Sequence, residues 1–215
     1  MRMRRKPNLE ARLEKCAHLL VKEPELLRGR WLDEYPYGKL CLELGCGKGR
    51  FTVETAKTEP DVLYVALEKS ANVMVIALER TVAEDPGNVR FINALADNLP
   101  DYFAPGEVSG LFINFCDPWP SNRHAKRRLT GRRFLEIFAQ VLRPDGEIHF
   151  RTDNLPLFEF SLHEFESCGF SLLESSRDAH KGGSAGIMTD YELKFHSQGI
   201  PIYKCVARLT NRLFT

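Results

Sequence analysis

Two acidic residues and a glycine-rich turn in the first third of the chain have the types and spacing of a ligand-binding site. The turn follows an apolar run and has its glycines at Gly45, Gly47 and Gly49. Glycines at the end of a buried strand let the backbone approach a ligand closely. Glu43 is charged inside that apolar run and therefore needs a partner, which a cationic amino group of a ligand would supply. Glu68 follows the next apolar run, where a carboxylate suits the two hydroxyls of a ribose; an ion pair with Lys69 is the alternative.

The G-x-G-x-G spacing of this turn narrows the class of ligand. It differs from the G-x-G-x-x-G of dinucleotide-binding proteins, and it lacks the Ser or Thr that a phosphate-binding loop needs after its lysine. Together with Glu43 and Glu68, the turn resembles the half of a class I methyltransferase that binds S-adenosylmethionine (SAM).

A second candidate site combines a carboxylate, an aromatic ring and a dense cationic stretch. Asp117 opens the segment Asp117-Pro118-Trp119-Pro120, whose two prolines predict a stiff loop. The residues that follow are basic at Arg123, Lys126, Arg127, Arg128, Arg132 and Arg133. A run of charged residues usually forms a solvated surface without a ligand. The predicted position of this basic stretch beside the glycine turn favours binding of a polyanionic substrate instead. Trp119 either stacks on a base or braces the loop, and we favour bracing because the prolines restrict its reach.

These residues are predicted to lie at the ends of strands in a parallel sheet. Short apolar runs predict strands at 40–44, 63–67, 89–92, 111–115 and 147–151. Periodic apolar positions predict a helix at 8–20, capped by Asn8, and further helices at 51–57, 71–84, 99–103, 132–142 and 155–168. Alternating strands and helices imply a parallel α/β sheet with helices on both faces. Two further strands, 170–174 and 203–209, flank a long glycine-bearing segment of a kind that is often functional.

Composition limits the partners and the location. The chain has 215 residues and a formal net charge of +1, so only local clustering of charge argues for a nucleic acid. None of the six cysteines belongs to a C-x-x-C pair, which argues against a zinc site, and no other metal is expected. No apolar run could span a bilayer, and the basic start Met1–Lys6 lacks the apolar stretch of a signal peptide. We therefore expect a cytoplasmic protein.

Several motifs together resemble bacterial tRNA (guanine-N7-)-methyltransferases over roughly residues 35–210. They are F-x-D-P-W-P at 115–120, R-H-x-K-R-R at 123–128, R-T-D-N at 151–154, T-D-Y-E at 189–192 and G-I-P-I-Y at 199–203. The resemblance implies a Rossmann-like α/β fold with a seven-stranded, mostly parallel sheet, an antiparallel C-terminal strand and helices on both faces. It also implies a SAM-dependent enzyme that methylates N7 of a guanosine at position 46, in the variable loop of tRNA, without a metal.

The resemblance also assigns residues to the two ligands. The implied SAM site consists of Glu43, Gly45, Gly47, Gly49, Glu68, Asn93, Leu95, Ala96 and Asp117. Leu95 stands where an acid usually contacts adenine, so the Asn93 side chain or the backbone of Leu95 or Ala96 is expected to replace it. Asp97 is expected to cap the following helix instead. Asp117 is the expected catalytic residue, as a carboxylate that orients the guanine.

The implied RNA contacts lie in two parts of the chain. They are Ser121, Arg123, Lys126, Arg127, Arg128, Asp153, Thr189, Asp190, Tyr191 and Glu192. Ser121 replaces a lysine that often follows D-P-W-P in this family, and Arg123 or Lys126 is expected to compensate. Asp190 could serve as a helix cap, as a substrate contact, or as both.

The ends of the chain and the assembly leave alternatives open. The basic residues Arg2, Arg4, Arg5 and Lys6 are expected to add RNA contacts. They belong to a predicted arm and docking helix at 1–35, which precede a single methyltransferase domain at 36–215. Both a monomer and a homodimer are compatible with the resemblance. A methyltransferase for small molecules and a non-catalytic RNA-binding module are the rival functions; the cationic segment argues against the first and the glycine turn against the second.

Overall fold

One sheet of seven strands organises the computed structural model, which describes residues 6–181 and 186–210. The strands are β1 (Lys39–Leu44), β2 (Val62–Leu67), β3 (Val89–Ile92), β4 (Val108–Asn114), β5 (Leu142–Thr152), β6 (Phe170–Ser176) and β7 (Tyr203–Leu209). Their order across the sheet is β3-β2-β1-β4-β5-β7-β6.

The direction of the strands confirms the predicted fold. Strands β1 to β5 pair in parallel, and β7 runs antiparallel to both β5 and β6. Because β1 pairs with β2 on one side and with β4 on the other, the order of the chain reverses at β1. Open α/β sheets bind ligands at such a reversal, beyond the carboxyl ends of the strands.

Helices connect the strands, as predicted. They are α1 (Leu9–Lys15), α2 (Trp31–Glu34), α3 (Arg50–Thr58), α4 (Ala71–Glu84), α5 (Leu99–Tyr102), α6 (Arg132–Val141), α7 (Leu155–Ser167) and α8 (Asp190–His196). The first one is shorter than the predicted 8–20, because α1 ends at Lys15 and a 3₁₀ turn follows at Ala17–Leu19. Asn8 is the N-cap residue, as predicted, but its backbone is left-handed (φ 53°) and its side chain makes no capping hydrogen bond.

Apolar side chains cover both faces of the sheet, since neighbouring residues of a strand point to opposite sides. Leu40, Leu42 and Leu44 of β1 face a core that contains aromatic residues of α2, α5, α6 and α7. Cys41 faces the second core, which is formed with residues of α3 and α4. Glu43 has the same orientation as Cys41 by this alternation, so its carboxylate lies on the α3 side of the sheet.

The residues before β1 pack on both faces. Arg12 of α1 donates two hydrogen bonds, of 2.6 and 2.7 Å, to the carboxylate of Glu79 in α4. Trp31 is fully buried on the other face and stacks on Phe103, with 5.2 Å between the ring centroids. The predicted boundary between an N-terminal arm at 1–35 and a methyltransferase domain at 36–215 stays a prediction. Arg2, Arg4 and Arg5 lie outside the described residues. Within the described ranges, no helix combines the length and the apolarity needed to cross a membrane.

Candidate active site

A cleft of about 680 Å³ opens where β1, β2 and β4 end. Its polar and charged lining includes Glu68, Lys69, Asp97, Asn114, Asp117, Arg127 and Arg133. Its apolar lining includes Leu44, Leu67, Leu95, Leu129 and Phe134. The cleft therefore has the mixture of apolar walls and a few converging polar groups that is typical of small-molecule sites.

The three glycines of the turn have different surroundings. All have positive φ angles: 79° at Gly45, 58° at Gly47 and 78° at Gly49. Only Gly45 lines the cleft, and a Cβ atom there or at Gly47 would meet no atom within 4 Å. A Cβ atom at Gly49 would lie 2.7 Å from the Cβ atom of Ala77. Gly49 is thus needed for the close packing of α3 on α4, and the backbone open to a ligand is that of Gly45 and Gly47.

Glu43 lies beneath the cleft. Its side chain is only 2% exposed and is absent from the lining of the cleft. Its carboxylate accepts hydrogen bonds from the hydroxyl of Thr52 and, at 3.1 Å, from Nδ2 of Asn114, which does line the cleft. Burial raises the pKa of Glu43 to about 7, although both hydrogen bonds oppose that rise. The hydrogen-bond partners of this carboxylate among the described residues are therefore neutral donors, and the charge of Arg151 offsets only part of the rise in its pKa.

Glu68 reaches the cleft at the end of β2. It is nearly buried, and one carboxylate oxygen accepts a 2.8 Å hydrogen bond from the backbone N–H of Ser70. The Nδ2 atom of Asn93 donates to the carbonyl of Glu68 at 2.7 Å. Lys69 lies 3.8 Å from Asp117, so the alternative pairing of Glu68 with Lys69 is wrong. Asn93 positions the backbone next to Glu68 and does not itself line the cleft.

The third strand ends at the opposite wall. Leu95 and Ala96 both line the cleft, and the Leu95 side chain is 51% exposed. Asp97 forms an ion pair with Arg133 of α6, and the short helix α5 has no side-chain cap at its first turn. The prediction that Asp97 caps this helix is therefore wrong. Asp97 and Arg133 both line the cleft; Arg133 belongs to the predicted cationic stretch, whereas Asp97 was not a predicted site residue.

The segment Phe115–Pro120, which includes the Asp117–Pro120 loop, has a strained backbone at two residues. Phe115 and Trp119 have φ angles of 54° and 41°, a region that large side chains rarely adopt. Arg128 donates from Nη2 to the carbonyl of Trp119 at 3.0 Å and from Nε to that of Pro118 at 3.2 Å. Its guanidinium also lies 4.4 Å from the ring centroid of Phe160. Arg128, predicted as an RNA contact, is only 9% exposed and instead fixes the loop.

The Trp119 ring braces the loop and also forms part of the cleft wall. It packs edge-on against His124, with 5.7 Å between the ring centroids, and the guanidinium of Arg127 lies 4.8 Å from its centroid. Beyond it, Ser121, Arg123, Lys126 and Arg127 are exposed. None of these three basic side chains forms an ion pair with a residue that the structure describes. A cationic surface thus borders the cleft, as the sequence predicted.

The two remaining predicted segments lie beside the same cleft. Tyr191 packs on Phe115, a residue of the cleft wall, with 5.1 Å between the ring centroids. Burial raises the pKa of Tyr191, and the charge of Asp153 raises it further. Asp153 directly follows β5, so the end of this strand lies near the Tyr191 ring. Thr189 is the residue that caps α8, so the alternative that Asp190 is the cap is wrong.

Sequence reasoning missed some residues of this site. Asn114, Asp97 and Phe134 line the cleft because strand ends and α6 converge there, and no local pattern marks them. Within residues 6–181 and 186–210, no three His, Cys, Asp or Glu side chains are grouped so that they could hold a metal ion.

Comparisons with known proteins agree with these features. A family model described as a putative methyltransferase matches residues 37–205. The tRNA (guanine-N(7)-)-methyltransferase of Geobacillus kaustophilus (strain HTA426) is 41% identical over 209 residues, which cover 96% of each chain. That of Bacillus cytotoxicus is 41% identical over 213 residues, covering 97% of each chain. The crystal structure of the 16S rRNA methyltransferase KamB matches with a TM-score of 0.64 and 18% identity, over 87% of this chain and 92% of KamB. At that identity the likeness concerns the fold.

Proposed function

Because this chain belongs to the tRNA (guanine-N(7)-)-methyltransferase family, we propose that it transfers a methyl group from SAM to N7 of a guanosine in tRNA. The observation that carries the proposal is the adjacency of two features. The cleft at the carboxyl ends of β1, β2 and β4 opens directly beside the exposed basic residues of 123–127. The guanosine of the variable loop is the target that the sequence motifs favour, and a tRNA substrate makes the cytoplasm the expected location.

The lining of the cleft fits SAM. Its volume of about 680 Å³ accommodates a nucleoside with an amino-acid side chain. Leu95, Leu129 and Phe134 offer apolar surface for an adenine ring, and Glu68 offers a carboxylate for the ribose hydroxyls. Gly45 leaves backbone open on the side of Glu43, whose buried carboxylate would favour a cationic amino group nearby. SAM, when bound, supplies the methyl group as part of a positively charged sulfonium.

Methylation at N7 does not require the protein to transfer a proton. Guanine N7 carries a lone pair and no proton, so its methylation needs no general base. The protein must instead hold N7 in line with the methyl group and stabilise the positive charge that appears on the guanine. Rigid elements near the end of β4 suit both tasks, because a strained loop fixed by Arg128 holds its position.

Asp117 is the residue that we propose for these tasks. It lines the cleft, its side chain is well exposed, and Lys69 lies 3.8 Å away. It thus stands between the proposed SAM site and the cationic surface. A carboxylate there accepts hydrogen bonds from the N–H groups of a guanine and attracts the charge that methylation creates. We therefore propose Asp117 as the catalytic residue that orients the base.

The proposed RNA surface extends from the loop to α8. Arg123, Lys126 and Arg127 would contact phosphates, with Arg123 or Lys126 replacing the lysine that Ser121 lacks. Asp153 and Tyr191, on the far side of Phe115, would contact the guanosine. We leave Arg128 out of this surface because its guanidinium is engaged by the loop.

Incubation with methyl-labelled SAM and bulk tRNA, followed by nucleoside analysis, tests the proposed function. The proposal requires labelled 7-methylguanosine. Binding of tRNA without any transfer would indicate an RNA-binding module, and transfer to small molecules alone would indicate the other rival function. A label in a different nucleoside would confirm methyl transfer to tRNA but would contradict the specificity for guanine N7.

A further inference from the structure

Three of the four side chains in the segment Thr189–Glu192 are engaged within the protein. The Oγ1 atom of Thr189 accepts a 2.9 Å hydrogen bond from the backbone N–H of Glu192, which closes the first turn of α8. The carboxylates of Asp190 and Glu192 contact arginines of two other elements, Arg80 of α4 and Arg151 of β5. The segment is therefore tied to the body of the protein by two ion pairs.

The first ion pair joins α8 to α4. Arg80 donates from Nη1 to Oδ2 of Asp190 at 3.0 Å and from Nη2 to Oδ1 at 3.3 Å. Two parallel bonds between a guanidinium and a carboxylate fix orientation as well as distance. The side chains of Arg80 and Asp190 are 26% and 34% exposed, so the pair contributes little to the stability of the fold. Its main effect is to set the position of the first turn of α8.

The second ion pair joins α8 to the end of β5. Glu192 is 0% exposed, and its Oε2 atom lies 3.2 Å from Nη1 of Arg151. The same Arg151 nitrogen donates to the carbonyl of Ile187 at 2.8 Å, which holds the chain just before α8. The other carboxylate oxygen, Oε1, lies 3.3 Å from Nε2 of His180. A buried Glu192 carboxylate that lost Arg151 would keep only this imidazole beside it, which is unfavourable for a charge in the interior. Glu192 is therefore placed to hold α8 and not to contact a ligand.

Tyr191 lies between Asp190 and Glu192 in the sequence, but its side chain is not held by an ion pair and is open to solvent. Its side chain is 48% exposed, and its ring rests on Phe115 and Phe195, at centroid distances of 5.1 and 4.5 Å. An exposed aromatic ring supported from behind is a suitable surface for an unstacked base. We propose that Asp190 and Glu192 do not contact tRNA, and that Arg80 and Arg151 are positioning residues that hold α8 so that Tyr191 faces the guanosine. This inference rests on the proposed function.

A double-mutant cycle on the exposed pair tests the inference. The variants are Arg80→Ala, Asp190→Ala and the double variant, and the readouts are KM and Kd for tRNA together with Kd for SAM. If Asp190 acts only through Arg80, each single variant raises KM and Kd for tRNA about tenfold, and the double variant raises them no further. The affinity for SAM stays unchanged in all three, which a general loss of structure would not allow.

The exchanged pair gives a second, independent readout. Arg80→Asp combined with Asp190→Arg restores the attraction with its direction reversed, so tRNA affinity recovers relative to either single exchange. The control is Glu84→Ala, which removes an ion pair of the same helix with Lys57 and should leave tRNA binding unchanged. Because the Arg80–Asp190 pair is partly exposed, these variants keep the fold. Glu192→Gln tests the buried pair: weaker tRNA binding with an unchanged Kd for SAM is expected, and unchanged tRNA binding would overturn the positioning role of Arg151.

The outcomes separate this inference from the proposed function. Additive effects in the cycle, or an Asp190→Arg effect that Arg80→Asp cannot restore, would mean that Asp190 touches tRNA and would overturn the inference. The proposed function would still be supported in that case if the unaltered protein forms 7-methylguanosine. If the unaltered protein binds tRNA without methylating it, the proposed function is wrong. The Kd values for tRNA from the double-mutant cycle would still show whether Asp190 acts through Arg80.

Discussion

Asn114, at the end of β4, donates a 3.1 Å hydrogen bond to the carboxylate of Glu43 in β1. The bond joins the two strands that flank the reversal of chain order, directly beneath the cleft. Since Asn114 is neutral, it satisfies this carboxylate without supplying a charge. The unliganded site therefore holds a buried acid whose protonation state is poised near neutrality.

The first prediction concerns pH. Burial raises the pKa of Glu43 from 4.5 to about 7, so between these values only the folded protein holds the proton. The stability gained in this way is fully present below pH 4.5 and is lost as the pH rises through 7. At about 1.4 kcal/mol per pKa unit, the ionisation of Glu43 lowers the free energy of unfolding by about 3 kcal/mol as the pH rises through this range. Denaturant titrations of the unliganded protein between pH 4.5 and 8 measure it.

The matched variant for this prediction is Glu43→Gln, which keeps the shape of the side chain and removes the titration. We expect a smaller decline in stability over the same pH range in this variant. We also expect SAM affinity of the unaltered protein to increase with pH through 7, because a cationic ligand favours the ionised carboxylate. An unchanged pH profile in Glu43→Gln would show that another group is responsible.

The second prediction is that Asp117→Ala lowers kcat by about a hundredfold or more, because the guanine loses its orienting carboxylate. The melting temperature should hardly change, since the side chain is well exposed. Steady-state methyl transfer to tRNA measures the effect. Asp145→Ala serves as the control, because Asp145 is an equally exposed aspartate near the start of β5, at the other end of the sheet. Near-normal activity of Asp117→Ala would remove Asp117 from the mechanism.

The third prediction concerns the cationic surface. Arg123→Ala and Lys126→Ala should each weaken tRNA binding and lower the slope of log affinity against log salt by about 1. Filter binding over a range of salt concentrations measures both quantities. Arg143→Ala is the matched control, because this arginine lies beside Asp145, away from the cleft. Equal slopes for all the variants would place the tRNA elsewhere.

The fourth prediction separates Arg128 from its exposed neighbours. Arg128→Ala leaves the carbonyls of Pro118 and Trp119 without their donor and removes the contact with Phe160. We expect a loss of about 1–3 kcal/mol in the free energy of unfolding, measured with urea. Lys126→Ala should change stability by less than about 0.5 kcal/mol. Arg128→Lys should not restore stability, because an ammonium group cannot reproduce the two-carbonyl contact. A stable Arg128→Ala variant would argue that Arg128 is free to bind RNA.

Much of the fold follows from local sequence, because buried parallel strands are short apolar runs and the helices between them are periodic. The residues that line the cleft at strand ends, such as Gly45, Glu68 and Asp117, could be predicted for the same reason. The topology places the carboxyl ends of parallel strands at one edge, so residues distant in sequence become neighbours there.

Two of the wrong predictions concern aspartates whose partners are far away in sequence. Asp97 pairs with Arg133, 36 residues later, and Asp190 pairs with Arg80, 110 residues earlier. Local rules offered helix caps for both aspartates, because capping is the interaction that a short-range pattern can represent. Arg128 likewise resembled its basic neighbours until packing placed it against Phe160. Tertiary contacts of this kind have no short-range signal.

The most direct test of the central claim compares two forms of a tRNA substrate that differ only at N7. One carries guanosine and the other 7-deazaguanosine at the variable-loop position, where a C–H group replaces the nucleophilic nitrogen. We expect the protein to bind both forms and to transfer the labelled methyl group only to the guanosine form. Equal transfer to the two forms would show that another atom is methylated and would contradict the account.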